Sequence, residues 1–233
     1  VCTVDLNPCN SSLAALVGKE QEVPSWFHLS EAMEKGSPFP VDALRWVKPN
    51  WAIVSGPDGR AEWVNRLTPE SIDWIVDGLR TQFDYIVLDP EARPGPISEM
   101  AARLAQTVLV TVSADYPDVL DTTRLFEAAL EQGWLDRGRC RLILNRWLET
   151  PHLPASDIAD CFSLPVSLTI PSAAEATVHA SSQGIPVTQL ESPAARPLTQ
   201  AIGPLVGLVA EQVMAAGPVR GGLGTQLRGW FSR

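Results

Sequence analysis

Several apolar runs in this 233-residue sequence are followed by residues that could bind a ligand. These residues are Asp5 after VCTV, Asp89 after DYIVL, Asn145 after RLIL, and Pro171 with Ser172 after SLTI. An aspartate at the end of a buried strand can hold Mg²⁺, directly or through water, beside a nucleotide phosphate. The competing interpretation is structural, because aspartate and asparagine also cap turns and helices. Taken one at a time, the residues leave both interpretations open.

The elements that must position these residues follow from the pattern of apolar side chains. Buried strands are predicted near residues 1–6, 51–57, 83–89, 107–113, 141–145 and 166–170. Helices are predicted near residues 29–34, 68–79, 97–104, 119–131, 155–162, 174–183 and 195–214. Ser11 or Ser12 could cap a further short helix that ends near Gly18. Thr68 is the predicted cap of the helix near residues 68–79, whose apolar residues share one face: Ile72, Ile75, Val76 and Leu79. Strands that alternate with helices predict an α/β fold with a doubly wound, mostly parallel sheet. In such a sheet the ligand lies beyond the carboxyl ends of the strands.

The composition indicates which kinds of molecule the chain is suited to bind. The net charge is −9, and Lys19, Lys35 and Lys48 are the only lysines. Nucleic acid is therefore disfavoured as a partner, because phosphate binding needs clustered Lys and Arg. The four cysteines form no C-x-x-C pair and the three histidines are isolated, so neither supports a metal centre. No apolar run reaches the roughly 18–20 residues that span a bilayer, so we expect a cytoplasmic protein.

Five segments resemble, in order, motifs of the MinD/ParA superfamily of deviant Walker A P-loop ATPases. VDLNPCNSSLAALVG is similar to its second strand, VDLDPQ or VDLDLQFGDLALLLG, and FDYIVLDPEARPG to its Walker B strand, FDYVVVDxP. QTVLVTVSADYPDVLDTTRLFEAAL is similar to the next strand and helix. RLILNRW resembles the strand VVNRx, and LPVSLTIPSAAEATVHASSQGIPVTQL resembles the closing stretch LPVxxxIPxDxxxVxxAxxxGxPV.

This resemblance covers nearly the whole chain and implies ATP and Mg²⁺ as cofactors. By position, Asp89 corresponds to the Walker B acid near Mg²⁺, and Asp5 corresponds to the first acid after the second strand. Both are therefore candidate catalytic residues. Asn145 corresponds to the asparagine that contacts adenine, and Pro171 with Ser172 would line the base site through backbone groups.

The sequence departs from the family at three places. The phosphate-binding loop K-G-G-x-G-K-[ST], which precedes the second strand in the family, is absent from the 233 residues. We therefore expect an N-terminally truncated chain that lacks the first strand and this loop. Asn7 stands where MinD-like ATPases have the second Asp of D-x-D, and asparagine cannot act as a carboxylate base. PEARPG follows Asp89 where relatives read xPAG. Together these departures predict that this chain binds ATP poorly and hydrolyses little or none of it.

Other segments look closer to the CpaE/TadZ pilus-assembly branch than to ParA. They are an insert with Pro24, Pro38 and Pro40, the motif WAIVSGPDG, and LTPESIDWIVDGLRTQFDYIV. That branch implies a bacterial localisation factor for Flp/Tad-type pilus assembly or a secretion machine, with pilus or secretion proteins as partners and a homodimer as a further expectation. The alternative is a working ParA/MinD-type ATPase in chromosome or plasmid partitioning or division-site placement. A doubly wound domain with another ligand, such as a reductase, is a third alternative, although G-x-G-x-x-G is absent.

The C-terminal residues form a separate segment. We expect the ATPase domain to occupy residues 1–214 and a flexible or amphipathic tail to occupy residues 215–233. The tail spaces four apolar side chains for one side of a helix: Leu223, Leu227, Trp230 and Phe231. This spacing is typical of an interfacial helix and resembles the membrane tether of MinD, so contact with the inner face of the cell membrane is one hypothesis. The other is a frayed tail, or one that docks on its own domain.

Overall fold

Strands alternate with helices along most of the described chain. The computed structural model describes residues 1–9, 11–19, 25–56, 66–151 and 153–216. In these ranges every pair of neighbouring strands but one is parallel. The predicted α/β fold with mostly parallel strands is thus confirmed. The four apolar tail residues singled out above lie outside the described residues.

The first sheet carries the two acids of the candidate site. Its strands, in spatial order, are β2 (Arg45–Lys48), β3 (Trp51–Val54), β1 (Cys2–Leu6) and β4 (Ile86–Pro90). β1 runs parallel to β3 and β4, and its register places Asp5 directly beside Asp89. β2 is antiparallel to β3. The sequence did not predict β2, because RWVK is short and directly follows a 3-10 turn at Val41–Ala43.

The second sheet has three parallel strands, and it is separate from the first. In spatial order they are β5 (Val108–Val112), β6 (Cys140–Trp147) and β7 (Val166–Pro171). Within the described residues no strand pairs with the outer edge of β4 or of β5. Val87 in β4 is 49% exposed, and Thr111 in β5 is also exposed, so one face of each strand is uncovered there. The sequence predicted one sheet, whereas the described strands form two.

Helices connect the strands and cover them. In chain order they are α1 (Leu13–Leu16), α2 (Ser25–Glu34), α3 (Pro69–Arg80), α4 (Pro96–Leu104), α5 (Tyr116–Glu131), α6 (Ala155–Phe162), α7 (Ala174–Ser182) and α8 (Arg196–Ala216). α3 begins at the predicted cap, since the Ser71 amide donates to Thr68 Oγ1 over 3.3 Å and the Thr68 amide donates to Ser71 Oγ over 2.8 Å. Its predicted apolar face is buried: Ile72, Ile75, Val76 and Leu79.

Each sheet has its own apolar core. In the first, side chains of β1 and β3 pack with those of α2, α3 and α4, among them Val4, Leu6, Leu29, Leu79 and Met100. In the second, side chains of β5 and β6 pack with those of α5 and α6, among them Val112, Phe126, Leu142, Ile158 and Phe162. The two halves of the site are therefore supported by two clusters of buried residues.

Two arginines link the halves near the amino-terminal end of β6. Arg139 Nη1 donates to the carbonyl oxygens of Ala102 (3.2 Å) and Ala105 (2.6 Å) at the end of α4. Arg103 of α4 donates to the Gly133 carbonyl oxygen beyond α5 over 3.3 Å. Because the last carbonyls of a helix have no partner inside the helix, these guanidinium groups supply one.

Candidate functional site

Asp5 is fixed by hydrogen bonds from its own chain. Its side chain ends β1 and is only 2% exposed. One carboxylate oxygen accepts from the Asn7 amide (3.1 Å), and the other accepts from Ser11 Oγ (2.8 Å) and the Leu13 amide (3.1 Å). These three donors satisfy the buried charge and hold the segment between β1 and α1. Asp5 is thus a structural anchor of this loop.

Gly56 and Ser11 complete the anchor, and the sequence did not reveal their role. The Gly56 amide donates to Ser11 Oγ over 3.0 Å. A Cβ atom on Gly56 would lie 2.8 Å from Ser11 Oγ and 3.2 Å from the Asp5 carbonyl oxygen, so only glycine fits here without a shift. Ser11 or Ser12 was predicted to cap α1. Ser12 does precede α1 but makes no side-chain cap bond, and Ser11 binds Asp5 instead. The only signal in the sequence was a glycine in the last residues of a predicted strand.

Asp89 lies beside Asp5 but is held differently. The register of β1 and β4 makes the two residues direct neighbours, and Asp89 is exposed at the edge of the sheet. Among the described residues it has neither a hydrogen-bond donor nor a cationic partner. Desolvation of its carboxyl by the surrounding protein raises the pKa of Asp89 above its ordinary value, and the negative charge of Asp5 raises it further. Asp89 is the carboxylate of the pair that remains free to bind a ligand.

The acid pair fits Mg²⁺ in its donor chemistry. Mg²⁺ takes oxygen ligands and is usually held by one or two carboxylates together with water and substrate phosphates. Asp89 offers a free carboxylate, and a cation there would relieve the repulsion from Asp5 that raises its pKa. Asp5 would not bind the cation directly, since both of its carboxylate oxygens already accept hydrogen bonds, but its negative charge would lie close to the cation. Within the described ranges, no group of three or more His, Cys, Asp or Glu side chains forms an all-protein metal site.

Asn145 lies at the end of the second sheet in a more open setting. Its side chain is half-buried, and its Oδ1 accepts only from the next amide, that of Arg146, over 2.9 Å. Arg146 has a φ of 51°, and the register between β6 and β7 shifts at this point. The side-chain NH₂ group of Asn145 has no acceptor among the described residues. It is therefore available to a ligand.

Pro171 and Ser172 lie next to this strand end. Pro171 is paired with Trp147, two residues beyond Asn145, and the Ser172 amide donates to the Trp147 carbonyl oxygen over 2.8 Å. This bond holds the backbone of Ser172 in place, while the residue itself is exposed. The structure brings these two residues together with Asn145, as it brings Asp5 together with Asp89. The two groups end strands of different sheets, and not of one sheet as the sequence predicted.

Comparison with known proteins finds similarity over most of the chain. No protein-family profile matches it. The septum site-determining protein MinD of Thermotoga maritima is 26% identical over 195 residues, which cover 81% of this chain and 69% of that protein. A ParA family ATPase from Chlorobium tepidum superposes with a TM-score of 0.75 at 15% identity, covering 87% of this chain and 85% of that chain. The chain is similar in sequence to this MinD, and its fold is that of the MinD/ParA ATPases.

Two further MinD structures agree with this relationship. MinD of Pyrococcus horikoshii, solved with Mg-ADP, superposes with a TM-score of 0.68 at 19% identity over 89% of this chain and 84% of that chain. A chain of the MinC:MinD cell division complex of Aquifex aeolicus gives 0.67 at 17% identity over 88% and 83%. At these identities the superpositions establish the MinD/ParA fold. The roles of Asp5, Asp89, Asn145, Pro171 and Ser172 stay predictions.

Proposed function

We propose that the chain is the nucleotide-binding domain of a CpaE/TadZ-like localisation factor for Flp/Tad-type pilus assembly or a secretion machine. The observation that carries the nucleotide site is the contrast between two neighbouring acids. Asp5 is saturated by donors of its own chain, whereas Asp89 has none among the described residues. One acid can hold the loop while the other holds Mg²⁺ beside ATP. Asn145 and the backbone at Pro171–Ser172 would bind the base.

Asn7 supports a scaffold in preference to a fast enzyme. It follows Asp5 by two residues, and its Oδ1 accepts from the Cys9 amide over 3.2 Å, so its side chain helps to hold the turn. An amide cannot take a proton from water as a carboxylate can. Without a base at this position, bound ATP would be hydrolysed slowly and would serve as a regulatory ligand.

The open edges of β4 and β5 support a further part of the proposal. Neither edge is paired within the described residues, and Val87 and Thr111 are exposed there although both are in strand interiors. We propose that a strand outside these 233 residues lies between β4 and β5 and ends in the phosphate-binding loop. That loop would point toward the carboxyl ends of the strands, where Asp89 and Asn145 lie.

The proposed partners are proteins of the pilus or secretion machinery, with a homodimer as the assembled state. The net charge of −9 argues against nucleic acid as the partner. We also propose weak contact of residues 215–233 with the inner face of the cell membrane, based on their apolar spacing. In the part of the chain that the structure describes, no helix is both long and apolar enough to cross a bilayer.

A turnover assay tests the proposed function. We expect the chain with Mg-ATP to release phosphate more slowly than about 1 min⁻¹, well below the range typical of enzymes. We also expect its sedimentation to be unchanged by Mg-ATP. The control is Asp89→Ala, which should leave the low rate unaltered. A rate at or above this value that Asp89→Ala abolishes would contradict the scaffold proposal.

The same assay addresses the second candidate, a working MinD-type ATPase in division-site placement or partitioning. The similarity to the septum site-determining protein of Thermotoga maritima favours it. This candidate requires Asp89-dependent turnover and a change from monomer to dimer on addition of Mg-ATP. Restoration of turnover by Asn7→Asp alone would show that the site is complete except for its base, which would favour this second candidate.

A further inference from the structure

Two glycines from distant parts of the chain touch through their backbones. Gly18 is the second residue after the end of α1, and Gly184 is the second residue after the end of α7. A Cβ atom on Gly184 would lie 2.9 Å from Gly18 Cα and 3.0 Å from Gly18 N. One on Gly18 would lie 3.3 Å from the Gly184 carbonyl oxygen. The two backbones therefore approach as closely as the absence of side chains permits.

The same local structure places both glycines. Gly18 has a φ of 68° and Gly184 a φ of 63°, in the left-handed region that glycine adopts readily. The Lys19 amide donates to the Ala14 carbonyl oxygen (2.7 Å), and the Ile185 amide donates to that of Ala180 (3.1 Å). Each glycine thus ends its helix with a bond that spans five residues. The contact joins two such helix ends.

Short, hydrogen-bonded paths connect this contact to both halves of the candidate site. On one side, Leu13 begins α1 and its amide donates to Asp5, so that a single helical turn separates Gly18 from the acid. On the other side, α7 begins two residues after Ser172, whose amide is bonded to Trp147 beside Asn145. No described strand joins β4 to β5, so the two halves are related by contacts of this kind, together with the bonds of Arg139 and Arg103.

We infer that the contact between Gly18 and Gly184 is the joint that positions the acid half of the site against the half that carries Asn145. Both glycines are positioning residues, since each acts through the helix that it ends. The inference about position requires no nucleotide. Its consequence, that the joint sets the geometry of a bound nucleotide, rests on the proposed function.

The chain's own cysteines supply a pair of probes. Cys9 follows β1 in the acid half, and Cys161 lies on α6 of the second half; both are exposed. Cys2 and Cys140 are buried, and burial raises their pKa to about 12 and about 11, so they should react slowly with thiol reagents. Spin labels on Cys9 and Cys161 therefore report the distance between the halves.

Gly184→Ala is the decisive variant and Gly36→Ala its matched control. Gly36 also ends a helix, with a φ of 61° and the same type of bond, from the Ser37 amide to the Ala32 carbonyl oxygen, but nothing lies within 4 Å of its Cβ position. We expect Gly184→Ala to shift or broaden the distribution of distances between the labels, Gly18→Ala to do so less, and Gly36→Ala to leave it unchanged. An unchanged distribution in a folded Gly184→Ala protein would overturn the inference.

A measurement on the unaltered protein covers the case in which the glycine variants do not fold. The joint requires the amides of residues 18–19 and 184–185 to become protected from hydrogen exchange together, because each helix end supports the other. Protection that differs by more than about tenfold between the two segments would overturn the inference. Binding of a fluorescent ATP analogue, measured separately, tests the proposed function, so failure of either idea can be told from failure of the other.

Discussion

The two sheets end in opposite ways at the candidate site. At the end of the first, Asp5 is buried and accepts three hydrogen bonds that organise the following loop. At the end of the second, Asn145 is half-buried, and among the described residues its side chain bonds only to the next amide in the chain. The first end is organised before any ligand arrives, whereas the second keeps donor groups free for one. Pre-organisation is thus concentrated where negative charge must be buried, since an unpaired buried charge is costly.

We expect the largest loss of stability when the negative charge of Asp5, which organises the loop after β1, is removed. In Asp5→Asn, an NH₂ group would replace one carboxylate oxygen and face amide or hydroxyl donors. We expect the free energy of unfolding to fall by about 3 kcal/mol, because buried donors lose their acceptor. Urea denaturation measures this, with Asp89→Asn as the isosteric control on the neighbouring strand. A loss below about 1 kcal/mol would show that the hydrogen bonds of Asp5 contribute little.

We expect a smaller loss of stability when the hydrogen bonds of an arginine that links the two halves are removed. Arg139→Ala removes two hydrogen bonds from a guanidinium group to the last carbonyl oxygens of α4. We expect a loss of about 2 kcal/mol in the free energy of unfolding. Arg141→Ala is the control, because Arg141 donates only to the nearby carbonyl oxygens of Gly138 and Cys140. Equal losses in the two variants would mean that Arg139 does not link the halves.

The dependence of stability on pH sharpens the difference between the two acids. The pKa of Asp89 in the folded chain lies above its ordinary value of 3.8, so the folded chain binds the proton more tightly than the unfolded one. Between 3.8 and the raised pKa, this residue makes the free energy of unfolding fall as pH rises. Asp89→Asn should remove that contribution and raise the free energy of unfolding at neutral pH, because the ionised Asp89 destabilises the folded chain there. The same substitution at exposed Asp84 is the control, and an unaltered slope in Asp89→Asn would contradict the assignment.

The smallest effect on stability is expected at the open end of the second sheet. Asn145→Ala removes one hydrogen bond to the Arg146 amide, near solvent. We expect the free energy of unfolding to change by less than about 0.5 kcal/mol, while affinity for a fluorescent ATP analogue falls. Exposed Glu149→Ala, beyond the same strand, is the control for binding. Weaker binding in both variants, or in neither, would remove the adenine role from Asn145.

Features that depend on neighbouring residues in the chain were predictable from the sequence. The capped start of α3 at Thr68 and the strands β1, β4, β5 and β6 follow from short patterns of apolar and capping residues, and the structure confirms them as elements. The predicted burial of β4 is wrong, since none of its residues is fully buried. Element ends were less predictable. α2 begins at Ser25, four residues before the predicted start, because burial of its first turn depends on partners elsewhere.

Features that depend on distant residues were not predictable. Ser11 reads as a helix cap in the sequence, and its bond to Gly56, 45 residues away, is visible only in the folded chain. The separation into two sheets likewise depends on which strands pair, and a run of apolar residues does not encode that. The residues of the candidate site were predicted from the sequence, but the saturation of Asp5 and the free state of Asp89 were not.

Each sheet is built from one continuous stretch of the chain, residues 2–90 for the first and 108–171 for the second. During synthesis on the ribosome, the first sheet and the Asp5 loop can therefore assemble before Asn145 has been translated. At about 5–20 residues per second, the last strand of the second sheet follows the last of the first by roughly 4–16 s. That delay is long compared with the folding of small mixed domains. The half that carries Asp5 and Asp89 can thus be native while the half that carries Asn145 is still being made. During that interval the groups that later contact Arg139 and Gly184 are open to solvent and to chaperones.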